Sequence, residues 1–214
     1  MKRKQSKVIV ILVHGLWMRG FAFLALRHRL TRSGYSSVYS FSYPSVSRGL
    51  DANSSALSHY ISSTFGNTIH LVGHSLGGLV ILNMLAQEPD PRIGRVVLMG
   101  SPCAGSHCAS KLLHTPGLSK IAGLSIRDSL MKARWELPAN VEIGVLAGNR
   151  SFGLGRLIPG LPRPNDGVVS VVETRLAESR DNVTLPVSHS EMLISPSCAA
   201  QVASFLNYGH FSHD

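Results

Sequence analysis

Between Thr68 and Gln87 the hydrophobic period changes from that of a strand to that of a helix. Thr68 to Val72 is short and apolar throughout, as a strand buried on both faces is. Leu79 to Gln87 is helical and is closed by Pro89. The two are joined by Gly73-His74-Ser75-Leu76-Gly77-Gly78, a bend with three glycines and no room for a longer loop. Such a join needs glycine because side chains there would collide with the neighbouring strand and helix. A chain with this feature is confined to architectures in which helices pack directly on a sheet.

The rest of the chain repeats the alternation. Val8 to Val13, Ser37 to Tyr43, Arg95 to Met99, Val141 to Ala147 and Asn182 to Val187 read as further strands. Phe21 to Arg32, Leu50 to Phe65 and Pro196 to Asn207 read as helices. Short β-branched runs separated by helical segments predict an α/β fold: a mostly parallel sheet of about six strands with helices on both faces. The 214 residues suit one domain, 1–214, with no repeat and no dividing linker. Two regions depart from the alternation. Ser101 to Leu137 mixes apolar residues with Lys111, Lys120, Arg127, Lys132 and Arg134, and is expected to form a small lid-like insertion at about 101–137. Ser151 to Pro164 is rich in Gly and Pro and is expected to be a surface loop.

Gly73-His74-Ser75-Leu76-Gly77 is a Gly-x-Ser-x-Gly placed between strand and helix, which lifts the Ser75 hydroxyl above the carboxyl edge of the sheet. No Gly-Lys-Ser/Thr follows, so a phosphate-binding loop is excluded. Serine at neutral pH needs a base, usually a histidine oriented by a carboxylate. With the nucleophile on such a turn, the chain order is Ser, then acid, then His. That order discards His14, His28, His59, His70 and His74 as bases. His189 follows the last strand and precedes the last helix, whereas His107 and His114 come before the fifth strand, and His210 and His213 lie in a polar tail expected to fray. His189 is the candidate base. Asp166, in Asn165-Asp166-Gly167-Val168-Val169, is the candidate acid, ahead of Glu142, Glu173, Glu178, Asp181 and Asp128. Negative charge on the substrate carbonyl oxygen needs backbone donors, expected from the amides of Leu16 and Leu76. His14, Trp17 and Met18 are expected at the acyl pocket, with His14 also holding the loop.

The start, Met1 to Lys7 followed by Val8 to Val13, is similar to a secretory signal. Yet the apolar run stops at His14-Gly15 with no small-residue cleavage site, so a core strand behind a basic tail and a cytoplasmic location are expected. Cys103, Cys108 and Cys198 are too few for a disulfide framework. Cys103, His107, Cys108 and His114 crowd one segment but match no zinc spacing, so neither a metal nor a cofactor is expected. The formal net charge is +9. Its scattered cations lack the aromatic interleaving that stacks bases, so nucleic acid is not an expected partner. Peripheral contact with an anionic membrane surface is an expected accessory property; oligomeric state is left open.

Val13-His14-Gly15-Leu16, Gly73 to Gly78, Asn165 to Val169 and Ser188-His189-Ser190-Glu191-Met192 together resemble the α/β-hydrolase superfamily, in particular its small lipase and esterase branch. Met99 to Ser106 is similar to a Gly-Thr-Pro-His-x-Gly-Ser segment of those lipases, departing at Ser101 and Cys103. The resemblance implies an acid in the Asp-Gly-Val-Val segment, a base shortly before Met, and hydrolysis of a small-molecule or lipid ester through an acyl-enzyme. A thioesterase, an amidase or an acyltransferase would use the same groups, and a binding protein that has lost activity would keep the fold.

Overall fold

The computed structural model describes residues 8–115, 119–130, 135–153 and 159–213. The basic tail 1–7, Lys132 and Arg134 of the insertion and 154–158 of the Gly/Pro-rich loop lie outside them. Six parallel strands form one sheet: β1 (Val8–Val13), β2 (Val38–Phe41), β3 (Thr68–His74), β4 (Ile93–Met99), β5 (Glu142–Gly148) and β6 (Asp181–Leu185). Their order across the sheet is β2-β1-β3-β4-β5-β6. Side chains of a strand alternate between faces, and the two cores follow that period. Ile9, Ile11 and Val13 enter one core, while Val10 and Leu12 enter the other.

On the first face lie α2 (Leu50–Ser62) and α3 (Leu76–Gln87); on the second lie α1 (Leu24–Arg32) and α6 (Pro196–Tyr208). Leu76 to Leu85 is buried throughout, because α3 is enclosed by the sheet and α2. The insertion folds as α4 (His107–His114) and α5 (Ser119–Leu130), the latter broken at Gly123, whose φ is 78°. The expected helix from Phe21 begins instead as a 3₁₀ turn, Gly20–Phe23. The tail after α6 does not fray: Phe211 is buried beside Phe205, and the Asp181 carboxylate accepts the Phe211 amide at 2.7 Å.

The chain passes from β1 to the edge strand β2 and then returns to the other side of β1 for β3. Connections therefore diverge at the carboxyl ends of β1 and β3, leaving a crevice there, the place where open parallel sheets bind ligands. Ser75 follows β3 directly, and the loop from His14 follows β1.

Candidate active site

Ser75 has φ 55° and ψ −124°, a backbone conformation that L-residues rarely adopt. It is held by its amide, which donates to Met99 O at 2.9 Å, and by its carbonyl, which accepts Gly78 N–H at 3.0 Å. The glycines around it are spaces already filled by backbone. A Cβ on Gly77 would lie 2.0 Å from Val13 O, and one on Gly73 would lie 2.6 Å from Gly78 Cα. One on Gly15 would lie 3.1 Å from Ser75 Cβ, so the loop after β1 runs directly against the bend.

Asp166 is fully buried. Its Oδ1 accepts the amides of Val168 (2.9 Å) and Val169 (2.7 Å), and its Oδ2 accepts Nδ1–H of His189 at 2.7 Å. The His189 amide donates to Asp166 O at 2.9 Å. Two amides fix the carboxylate, and the carboxylate in turn fixes the imidazole tautomer with Nε2 unprotonated. Gly100, with φ 57°, lies against this pair: a Cβ there would be 3.1 Å from both Asp166 Oδ2 and His189 Nδ1. Because Ser75 is bonded to Met99, the residue before Gly100, the serine bend and the His–Asp pair meet at the carboxyl end of β4.

Of the other candidate acids, Glu178 is exposed, and the remaining four have structural partners. Glu142 pairs with Arg95 and Arg180 at the opposite edge of the sheet. Glu173 accepts from Ser170 N and Oγ at 2.7 Å and from the His107 amide. Asp181 holds the C-terminal tail, and Asp128 Oδ2 accepts the Leu50 amide at 2.9 Å, capping α2.

The amides of Leu16 and Leu76 donate to no described residue. Trp17 is 53% exposed and carries a left-handed φ of 58°, its amide donating to Ser45 Oγ at 3.1 Å; Met18 is half-buried. His14 is not a pocket wall. It is fully buried, its Nδ1–H donates to Gly15 O at 2.8 Å, and its Nε2 accepts the Tyr43 amide at 3.2 Å. The Tyr43 hydroxyl returns a bond to His14 O at 2.7 Å, and the rings stack with centroids 4.4 Å apart. Burial lowers the His14 pKa, in keeping with a neutral prop for the loop.

Sequence reasoning missed three contributors. Gly100 had a signal, as a glycine between a strand and Ser101-Pro102, but its contact with the His–Asp pair is tertiary. Tyr43 had none. His74, discarded as a base, donates from Nε2 to His189 O at 2.9 Å. The cysteines are poor nucleophiles: burial pushes Cys103 up to about 12 and Cys108 and Cys198 up to about 11. Among the described residues no group of three His, Cys, Asp or Glu side chains is placed to hold a metal. His107 Nε2 and His114 Nδ1 are bonded to Pro159 O and Ser110 O. No helix among the described residues is long and apolar enough to cross a membrane.

A sheet of this order, with a strained serine after β3 and a buried His–Asp pair beyond β4, is the arrangement of one large family. The model of the alpha/beta hydrolase family matches residues 10–211, and the chain belongs to that family. Phospholipase YtpA of Bacillus subtilis is 40% identical over a 73-residue alignment that covers 29% of this chain and 28% of that protein. The fold is similar to that of mature Bacillus licheniformis lipase BlEst2, with TM-score 0.74 and 19% identity over 95% of this chain and 92% of that one. It is also similar to carboxylesterase CesB of Bacillus subtilis, with TM-score 0.54 and 17% identity over 95% and 84% of the two chains.

Proposed function

We propose that this protein is a serine hydrolase that cleaves carboxylic esters of hydrophobic acyl groups, with Ser75, His189 and Asp166 as its catalytic residues. The observation that carries the reading is the buried 2.7 Å contact of His189 Nδ1 with Asp166 Oδ2, at the strand end that also binds the amide of strained Ser75. Ser75 Oγ attacks the acyl carbon while His189 Nε2 takes its proton. The carbonyl oxygen becomes an oxyanion that accepts the amides of Leu16 and Leu76, donors worth about 3 to 4 kcal/mol each in such sites. As the intermediate collapses, His189 returns the proton to the departing alkoxide, leaving an acyl group on Ser75. Water then repeats the sequence, His189 taking its proton and handing one back to Ser75. Asp166 accepts Nδ1–H throughout and holds the imidazolium in register.

The short similarity to a phospholipase and the exposed Trp17, Phe21 and Leu24 beside the loop after β1 favour lipid esters over small polar ones. Release of p-nitrophenol from an acyl-chain series measures this directly. Ser75→Ala is expected to lose at least about a thousandfold in kcat. Equal turnover by the two proteins rejects the reading, and so does failure of a fluorophosphonate to label Ser75 in the folded wild type.

A further inference from the structure

The acid loop supplies two of the bonds that fix His189: amide to Asp166 O and Nδ1 to Asp166 Oδ2. Neither ties the base to the nucleophile. His74 supplies that connection, because it is the last residue of β3 and the immediate neighbour of Ser75. Its Nε2–H reaches the His189 carbonyl at 2.9 Å, and the two rings lie 4.6 Å apart at a tilt of 48°. Donation from Nε2 makes Nδ1 the acceptor nitrogen of a neutral ring. That Nδ1 is buried beside Gly15 and has no hydrogen-bond partner among the described residues. A buried acceptor left unmade is costly, and an apolar side chain would fill the same space without it. Only a flat group with a donor at its far end both packs on the His189 ring and holds its carbonyl.

We infer that His74 is a positioning residue for the hydrolysis proposed above. It ties the base loop to the strand bearing Ser75 and so sets the distance across which their proton moves. A cation at this point would repel the imidazolium that forms on His189. Burial first, and the charge of His189 second, push the His74 pKa down to about 3, so its ring stays neutral under working conditions. His14 also faces it and is itself held neutral.

The inference rests on the proposed reaction, and one set of measurements separates the two. Wild type, His74→Gln and His74→Leu are compared for fluorophosphonate labelling rate, for kcat and KM on a p-nitrophenyl ester, and for Tm. The glutamine amide reaches the same carbonyl; leucine cannot donate. Loss of alignment by about an ångström costs on the order of a hundredfold. His74→Leu is therefore expected to lose tenfold or more in kcat and in labelling, with KM within about twofold, and His74→Gln to recover most of the loss. A leucine variant with the wild-type kcat overturns the inference, as does a folded glutamine variant as slow as the leucine one. Should leucine prevent folding, glutamine decides alone, by a rate within about threefold of wild type or a larger loss. If neither variant folds, His74 is structural only. Wild type that resists labelling would instead defeat the hydrolase reading itself.

Discussion

The serine bend is held mainly by close backbone contact and the insertion mainly by side-chain bonds, although Gly123 of α5 also lies against the backbone of Val46, where an added Cβ would be 2.7 Å from the oxygen. At Gly73, Gly77 and Gly78 the chain is in contact with other parts of itself. A Cβ on Gly77 would meet Val13 O at 2.0 Å, and one on Gly73 would meet Gly78 Cα at 2.6 Å. In the insertion, α5 is fastened to α2 and to the loop before it by side chains: Asp128 to the Leu50 amide (2.9 Å), and Ser125 to Asn53 (2.9 Å) and to Arg48 O (2.8 Å). Leu124 N–H adds a bond to Val46 O at 3.1 Å. Backbone contact has no adjustable atom, so it fixes geometry at the cost of tolerance. Side-chain hydrogen bonds are worth about 1 kcal/mol each and can be lost singly.

Adding one methyl group tests the contrast most severely. Gly77→Ala must displace β1 or α3, and we expect it to cost about 3 kcal/mol or more, read from urea unfolding. Gly105→Ala, at the start of the insertion, meets nothing within 4 Å among the described residues but has φ 109°. Its cost is the backbone strain alone, about 1 kcal/mol. Equal losses at the two positions would break the comparison.

The same difference governs what the sequence made legible. The bend, all six strands and the helices flanking them were readable, because each carries its own period and its own glycine or proline stops. Ser75, Asp166 and His189 could be singled out as candidates because the α/β-hydrolase resemblance implies the chain order nucleophile, acid, base. The insertion could not be read beyond its position, since Asp128 and Ser125 are recognisable as anchors only once Leu50 and Asn53 lie opposite them. His14 fell between the two cases: its loop was foreseeable, its burial under Tyr43 was not. The expected lid is, over α5, a segment pinned to α2 at several points.

The sheet also holds a second kind of rigid element, buried neutral histidine. His70 fills the irregularity between β3 and β4, where its Nδ1 accepts the Arg95 amide at 2.9 Å. Burial, then the Arg95 charge, depress its pKa to about 4 from the ordinary 6.5. Above pH 6.5 both folded and unfolded chains leave the ring neutral, and the full stability is present. As the pH falls from 6.5 towards 4 only the unfolded chain takes up the proton, so stability declines by up to about 3 kcal/mol. Thermal melts between pH 7 and 4 should show this decline, and His70→Gln should make it shallower. An unchanged slope would remove His70 as its source.

A smaller effect of opposite sign is expected at Ser75. Its φ of 55° costs nothing to glycine, so Ser75→Gly should gain about 1 kcal/mol in unfolding free energy while turnover is lost. Ser75→Ala retains the strain and should gain less. Glycine and alanine variants of equal stability would mean that the bend stores no strain, and that the surrounding backbone contacts select the conformation at no cost.

Asp128→Ala makes the mildest change and bears most directly on the insertion. The carboxylate caps α2 from a neighbouring helix, and loss of a cap costs about 1 kcal/mol. The remaining tethers, Ser125 to Asn53 of α2 and to Arg48, and Leu124 to Val46 in the loop before α2, keep α5 in place, so kcat and KM should both stay within about twofold. A several-fold change in KM at unaltered kcat would show that α5 moves during substrate entry and that Asp128 sets its resting position. The contrast between the regions would then be one of motion as well as of bonding: a fixed bend carrying the proposed nucleophile, beside a fastening loose enough to admit the acyl group.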